Sequence, residues 1–133
     1  MNIPERKISD YISGLENVAV AFLFGSQLSG NVHPESDVDI AILFTSGNVP
    51  TNDMQLDLKD RLSRILKSEA DVVVLNNASP IIKMQVLKNG KKIIELDRRA
   101  YVHFFVRTIN EYDDLKRVRA INENNILKGR IYD

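Results

Sequence analysis

Cysteine is absent from all 133 residues. That excludes disulfides, thiolate zinc sites and a cysteine nucleophile, and it suits a reducing cytosol. Neither sign of charge is in excess: lysine plus arginine number 18, as do aspartate plus glutamate. Proteins that coat nucleic acid carry a basic surplus, so direct nucleic-acid binding is not expected. LKNGKK at 87–92 is the one modest basic cluster. Long apolar runs are also missing. The longest, 18–24, is far shorter than the roughly 20 residues that span a bilayer. The opening MNIPERKISDY lacks the apolar core of a signal peptide. A soluble, cytoplasmic protein without a membrane segment is the expectation. No repeat, low-complexity tract or Pro/Gly/Ser linker divides the chain. A single domain over 1–133 is therefore expected, with a core at about 5–97 and a C-terminal helix at about 98–122.

What is present alternates between two periods. Residues 4–15 place Ile8, Tyr11, Ile12 and Leu15 at helical spacing. A buried strand follows at 18–24, stopped by Gly25-Ser26, and a second at 37–44. Thr51 or Asn52 caps a helix to about Lys67. ADVVVL, 70–75, reads as a third strand. Ser79-Pro80 opens a helix that Gly90 closes, and KKIIEL makes a short fourth strand. From about Arg98 a long helix carries Tyr101, Phe104, Phe105, Ile109, Tyr112, Leu115 and Val118 on a stripe, ending near NENN at 122–125. The class is α/β (α+β): a small mixed sheet flanked by helices.

Within this frame the aspartates stand out. Asp37 and Asp39 are two apart at the mouth of the second strand, so they share a face. Asp71 enters the third strand. Gly25-Ser26 directly follows the first strand; a glycine turn with free backbone N–H groups and a hydroxyl suits a phosphate. If these groups share one site, strands one and two run antiparallel. Strands two and three then run parallel, with the helix of 51–67 as crossover. Three carboxylates so close need a cation or a proton. Hard oxygen ligands without histidine or cysteine point to Mg²⁺ or Mn²⁺, shared with the phosphates of a nucleotide.

Gly25-Ser26, ten residues, then Asp37-Val38-Asp39 resembles the signature of the DNA polymerase β-like nucleotidyltransferase superfamily. Chain length, the order of elements and the third carboxylate resemble its minimal nucleotidyltransferase (MNT) group, the MntA-like antitoxins that partner HEPN toxins. The likeness covers roughly 5–120. It implies a nucleotidyltransferase fold and Mg²⁺-dependent transfer of AMP from ATP to a tyrosine of a HEPN toxin, silencing its RNase activity. By the same resemblance Asp37 and Asp39 are metal ligands. Asp71 completes the site, as a ligand or by helping to deprotonate the acceptor, while Gly25 and Ser26 hold the triphosphate.

Plainer readings stand beside these. Asp37, Asp39 and Asp71 could each be turn residues, and Ser26 a helix cap. His33 reads as a solvated loop histidine. Arg98 and His103 imitate the Arg-x4-His motif of HEPN ribonucleases, but that motif belongs to an all-helical bundle and chance explains it here. Nothing argues for Tyr112 or Tyr132 as modification acceptors. The rival functions are an antitoxin that only binds its toxin, and transfer to a small molecule or RNA. Neutral charge and short length weigh against the latter and imply an acceptor brought by a bound partner.

Overall fold

The computed structural model describes residues 3–25 and 38–132, with 123–132 as helical backbone alone. Its elements are α1 (Glu5–Ser13), β1 (Val18–Phe24), β2 (Val38–Phe44), α2 (Asn52–Leu66), β3 (Ala70–Val74), α3 (Pro80–Asn89), β4 (Lys91–Glu95) and α4 (Arg98–Tyr132). A short 3-10 turn, Leu75–Asn77, follows β3. The four strands form one sheet in the order β3-β2-β1-β4. β1 is antiparallel to both β2 and β4, whereas β2 and β3 are parallel. α2 is the crossover that parallel pairing demands. This is the mixed sheet, flanked by helices, that the sequence implies.

Both faces of the sheet are covered, which is why β1 and β2 read as nearly continuous apolar runs. On one face Val38, Ile40, Ile42 and Phe44 of β2 pack with Ile8 and Ile12 of α1 and Leu58 and Leu62 of α2. On the other, Ala41 and Leu43 of β2 pack with Ala19, Val20 and Phe22, Val86 of α3 and Phe104 of α4. A shift of register between Val18 and Val20 lets two consecutive residues, Ala19 and Val20, face the same layer. Alternation along β2 therefore assigns each odd residue, Asp39 included, to the α3/α4 side.

The helix ends follow local chemistry. Thr51 accepts a hydrogen bond from the Met54 N–H, and Ser79 accepts one from the Ile82 N–H with Pro80 in the first helical turn. At the far end of β2, the Asn76 side chain accepts from the Phe44 N–H and donates to the Phe44 carbonyl, both at 2.9 Å. That clasp ties the turn after β3 to its neighbour.

Three expectations change. The third strand ends at Val74, because Leu75 turns inward as the first residue of the 3-10 turn and is fully buried. α4 does not stop at NENN but continues to Tyr132. NENN contains neither proline nor glycine, and asparagine costs a helix interior only about 0.7 kcal/mol. The stripe also turns slightly from the expected line. Phe104 and Thr108 are buried, whereas Phe105 and Val118 are exposed.

Thr108 is 1 % exposed and its hydroxyl has no hydrogen-bond partner in the described structure. An unpaired buried hydroxyl is destabilising, and valine has the same shape without it. Thr108→Val should raise stability by about 1 kcal/mol in chemical denaturation; a loss of stability would show that the hydroxyl is satisfied.

Candidate active site

Strand register brings the aspartates together. Asp39 lies opposite Phe24 across the antiparallel pair and opposite Asp71 across the parallel pair. Asp39 and Asp71 are thus direct neighbours at the entry of parallel strands, on the α3/α4 face. Gly25 follows Phe24 and adjoins Asp39.

Gly25 has φ +116°, and a Cβ built on it would lie 2.5 Å from Asp39 Oδ2. Its glycine character is required twice over: the backbone occupies a region that L side chains rarely adopt, and a carboxylate fills the space of the missing side chain. The turn after β1 is therefore shaped around Asp39.

Asp71 has a partner that sequence reading misses. Lys59 of α2 reaches around the edge of β3, placing Nζ 3.2 Å from Asp71 Oδ1 and 3.6 Å from Glu69 Oε1. The side chains of Lys59 and Asp71 are 39 % and 45 % exposed, so solvent screens the pair. The Lys59 pKa is raised, first by its hydrogen bond to Asp71, then by the Asp71 charge, with Glu69 adding to both. A raised lysine pKa means the pair contributes fully below the ordinary lysine value and is lost as pH rises through the raised one. At neutral pH it is intact. The only hint in the sequence is that Lys59 adjoins Leu58, and periodicity gives no reach for a long side chain.

Ser26, His33 and Asp37 lie outside the described residues. Among the described residues no group of three metal-binding side chains converges. The described part of the donor set, two neighbouring carboxylates beside a glycine turn with no nitrogen or sulfur ligand, fits a hard divalent cation.

The other sequence features disperse. Within LKNGKK, Lys91 pairs with Glu5, and Lys92 pairs with Glu95 and lies 4.6 Å from the Tyr101 ring centroid. Lys88 lies over Tyr112. The cluster knits β4 to its surroundings and forms no open basic patch. Arg98 pairs with Glu95, while His103 borders a cavity at the far end of the sheet. Among the described helices none is long and apolar enough to cross a membrane.

Comparison with known proteins bears on the family and the fold. Residues 6–99 match the family described as Polymerase beta, Nucleotidyltransferase. The chain belongs to this nucleotidyltransferase family. It is 31 % identical over 105 residues to a protein adenylyltransferase MntA of Shewanella oneidensis, covering 79 % of this chain and 73 % of that protein. A chain of a toxin–antitoxin crystal structure with AMP-PNP superimposes with a TM-score of 0.78 at 28 % identity, covering 94 % of this chain and 99 % of that one. A chain from the complex of tri-AMPylated Shewanella oneidensis HEPN toxin with MNT antitoxin gives a TM-score of 0.72 at 27 % identity, covering 92 % and 95 %. The family match ends at residue 99, whereas the structural likenesses cover more than nine tenths of the chain.

Gly25→Ala tests the shaping of the turn. Strain at positive φ and the clash with Asp39 should together cost about 1–3 kcal/mol of stability, read by thermal or chemical denaturation, and should abolish most nucleotidyl transfer. Unchanged stability and activity would show that the turn does not depend on the missing side chain.

Proposed function

We propose that this chain, as a single nucleotidyltransferase domain over 1–133, is a cytoplasmic antitoxin that transfers AMP from ATP to a tyrosine hydroxyl of a HEPN toxin. The observation that carries this reading is the in-register placement of Asp39 beside Asp71, with Gly25 shaped around Asp39, in a member of the nucleotidyltransferase family. The relatives support the substrates: one is named a protein adenylyltransferase, and a similar chain occurs in a complex with a tri-AMPylated HEPN toxin.

In this reading Asp39 and Asp71, with Asp37, hold Mg²⁺, and Gly25 and Ser26 receive the triphosphate. The cation, when bound, supplies positive charge to the phosphates and the leaving group. The chain's own residues do the positioning. The backbone at Gly25 can approach an anion closely because no side chain intervenes. Asp71 lies toward the open edge of the sheet, where an acceptor can reach it, and accepts the proton of the tyrosine hydroxyl. The hydroxyl oxygen bonds to the α-phosphorus as the bond to the bridging oxygen breaks, and pyrophosphate leaves. Positioning and charge stabilisation suffice for such a step.

Asp37→Asn combined with Asp39→Asn should lower transfer of label from α-labelled ATP to the HEPN partner by roughly a thousandfold or more, since charge stabilisation worth several kcal/mol is lost. Full neutralisation of the toxin by that variant would replace the enzyme with a binding-only antitoxin. Label appearing on RNA or a small molecule, with none on the partner, would overturn the choice of acceptor.

Lys59 adds a separable expectation. Its ammonium competes with a divalent cation for Asp71, so Lys59→Met should tighten Mn²⁺ binding in a direct titration while leaving thermal stability nearly unchanged. Weaker or equal Mn²⁺ binding would show that Lys59 does not oppose the cation.

A further inference from the structure

One flank of α4 is apolar and open to solvent. Val102, Phe105, Val106 and Ile109 recur at helical spacing, a stripe about 10 Å long and about 100° wide. Val102, Phe105 and Val106 are 46 %, 40 % and 52 % exposed, and Ile109 is half-buried. Phe105 meets the Tyr101 ring edge-on at 6.2 Å, and Tyr101 lies against Phe22 of β1 and under the Lys92 ammonium of β4. The stripe therefore lies on the β4 side of the helix. The α3 side is polar: Glu111 pairs with Lys83 and Arg107, and Arg99, His103 and Arg107 form a basic ridge along the cavity beside Phe44.

Position and charge decide what covers the stripe. β4 is the sheet edge opposite β3, which carries Asp71. A HEPN toxin that presents a tyrosine to Asp71, as proposed above, stands at the other edge. Strand addition along β4 is opposed by its charges, since Lys91 and Lys92 are each paired with a glutamate there. The helix, by contrast, is complementary to itself. Arg98 precedes the stripe and Asp113 follows it, both on its line by helical spacing. Turned end for end, with Phe105 of one copy against Val106 of the other, α4 sets Val102 against Ile109 and Arg98 against Asp113. Among the described residues Asp113 enters no ion pair. Arg98 is 72 % exposed, and Glu95 keeps Lys92 as a partner if Arg98 turns away.

We propose that α4 packs antiparallel against α4 of a second copy of this chain, burying Val102, Phe105, Val106 and Ile109 about a twofold axis. Such an interface makes each contact twice, so two Arg98–Asp113 pairs flank the apolar centre and select the antiparallel orientation. A crossing about 20° from antiparallel, as in helical bundles, keeps both ends in contact. The stripe is smaller than the roughly 800 Å² per partner of a standard interface, so a dissociation constant on the order of 10 μM is expected. The dimer does not depend on the transfer reaction and leaves the β3 edge of each copy open.

Sedimentation of the full chain between about 1 and 300 μM, without nucleotide or toxin, tests the pairing. Mass should rise from monomer to dimer across that range. Val106→Glu should weaken association about tenfold or more, by burying a charge at the centre, with helical content by circular dichroism unchanged. Arg98→Asp should also weaken it, about tenfold, because two attractions become two repulsions. Combining Arg98→Asp with Asp113→Arg should restore the dimer, a rescue that depends on the antiparallel register and holds whether or not Val106→Glu folds. A chain that stays monomeric throughout, or a double variant no better than Arg98→Asp alone, would overturn the proposal. So would a Val106→Glu chain that dimerises as the parent does but fails to retain a HEPN partner, which would assign the stripe to the toxin.

Discussion

Two carboxylates side by side on parallel strands set the terms for the rest of this molecule. Asp39 and Asp71 are neighbours because β2 and β3 pair in a fixed register, and that register is held by apolar alternation. A slip by one residue would send Ile40 and Ile42 out of the α1/α2 layer and turn Asp39 toward it. The core on each face thus holds the charges in place. Lys59 opposes part of the repulsion at Asp71, and Gly25 yields space to Asp39. The local costs of the site fall on a turn and an exposed edge, while the buried strand centres remain wholly apolar.

β2 acts as a spacer between two kinds of chemistry. Its entry presents an acidic group beside a glycine turn, and its exit is clasped by Asn76 next to a basic ridge. Between them Ile40, Ala41 and Ile42 are fully buried. The near-zero formal charge of the whole chain therefore conceals a polar arrangement. Charge counted over a sequence bears on its average affinity for polyanions, whereas a ligand meets only the groups that topology gathers.

Strand direction was legible from the residues because the chemistry constrained it. Placing Gly25, Asp39 and Asp71 at one edge requires β1 against β2 and β2 along β3, and this is the pairing found. The caps at Thr51 and Ser79 were equally readable, since a hydroxyl before a helix acts locally. What was not legible depends on tertiary reach or on weak signals. NENN reads as a stop, yet without proline or glycine its penalty is small and the helix runs through. Lys59 meets Asp71 only because a long side chain bends around an edge strand. Arg98 and His103 drew attention as a motif, but the spatial neighbours are Arg99, His103 and Arg107, one helical turn apart. Ser26 and Asp37, the other members of the signature, lie outside the described residues and stay as the sequence states them.

The position of Asp71 bears on how so small a chain could favour a protein acceptor over water. Asp71 belongs to β3, an edge of the sheet, and its side chain is 45 % exposed. In that setting water weakens every charge interaction the carboxylate makes, and water itself is a competing nucleophile. A partner that docks over this edge would change both conditions at once. It would bring the hydroxyl, displace solvent from Asp71 and strengthen the field acting on the phosphate. Under the proposed reaction, exposure of Asp71 in the isolated chain is then what the mechanism needs. A fully enclosed carboxylate would be better shielded from water, but it would leave no route for a tyrosine carried on another protein.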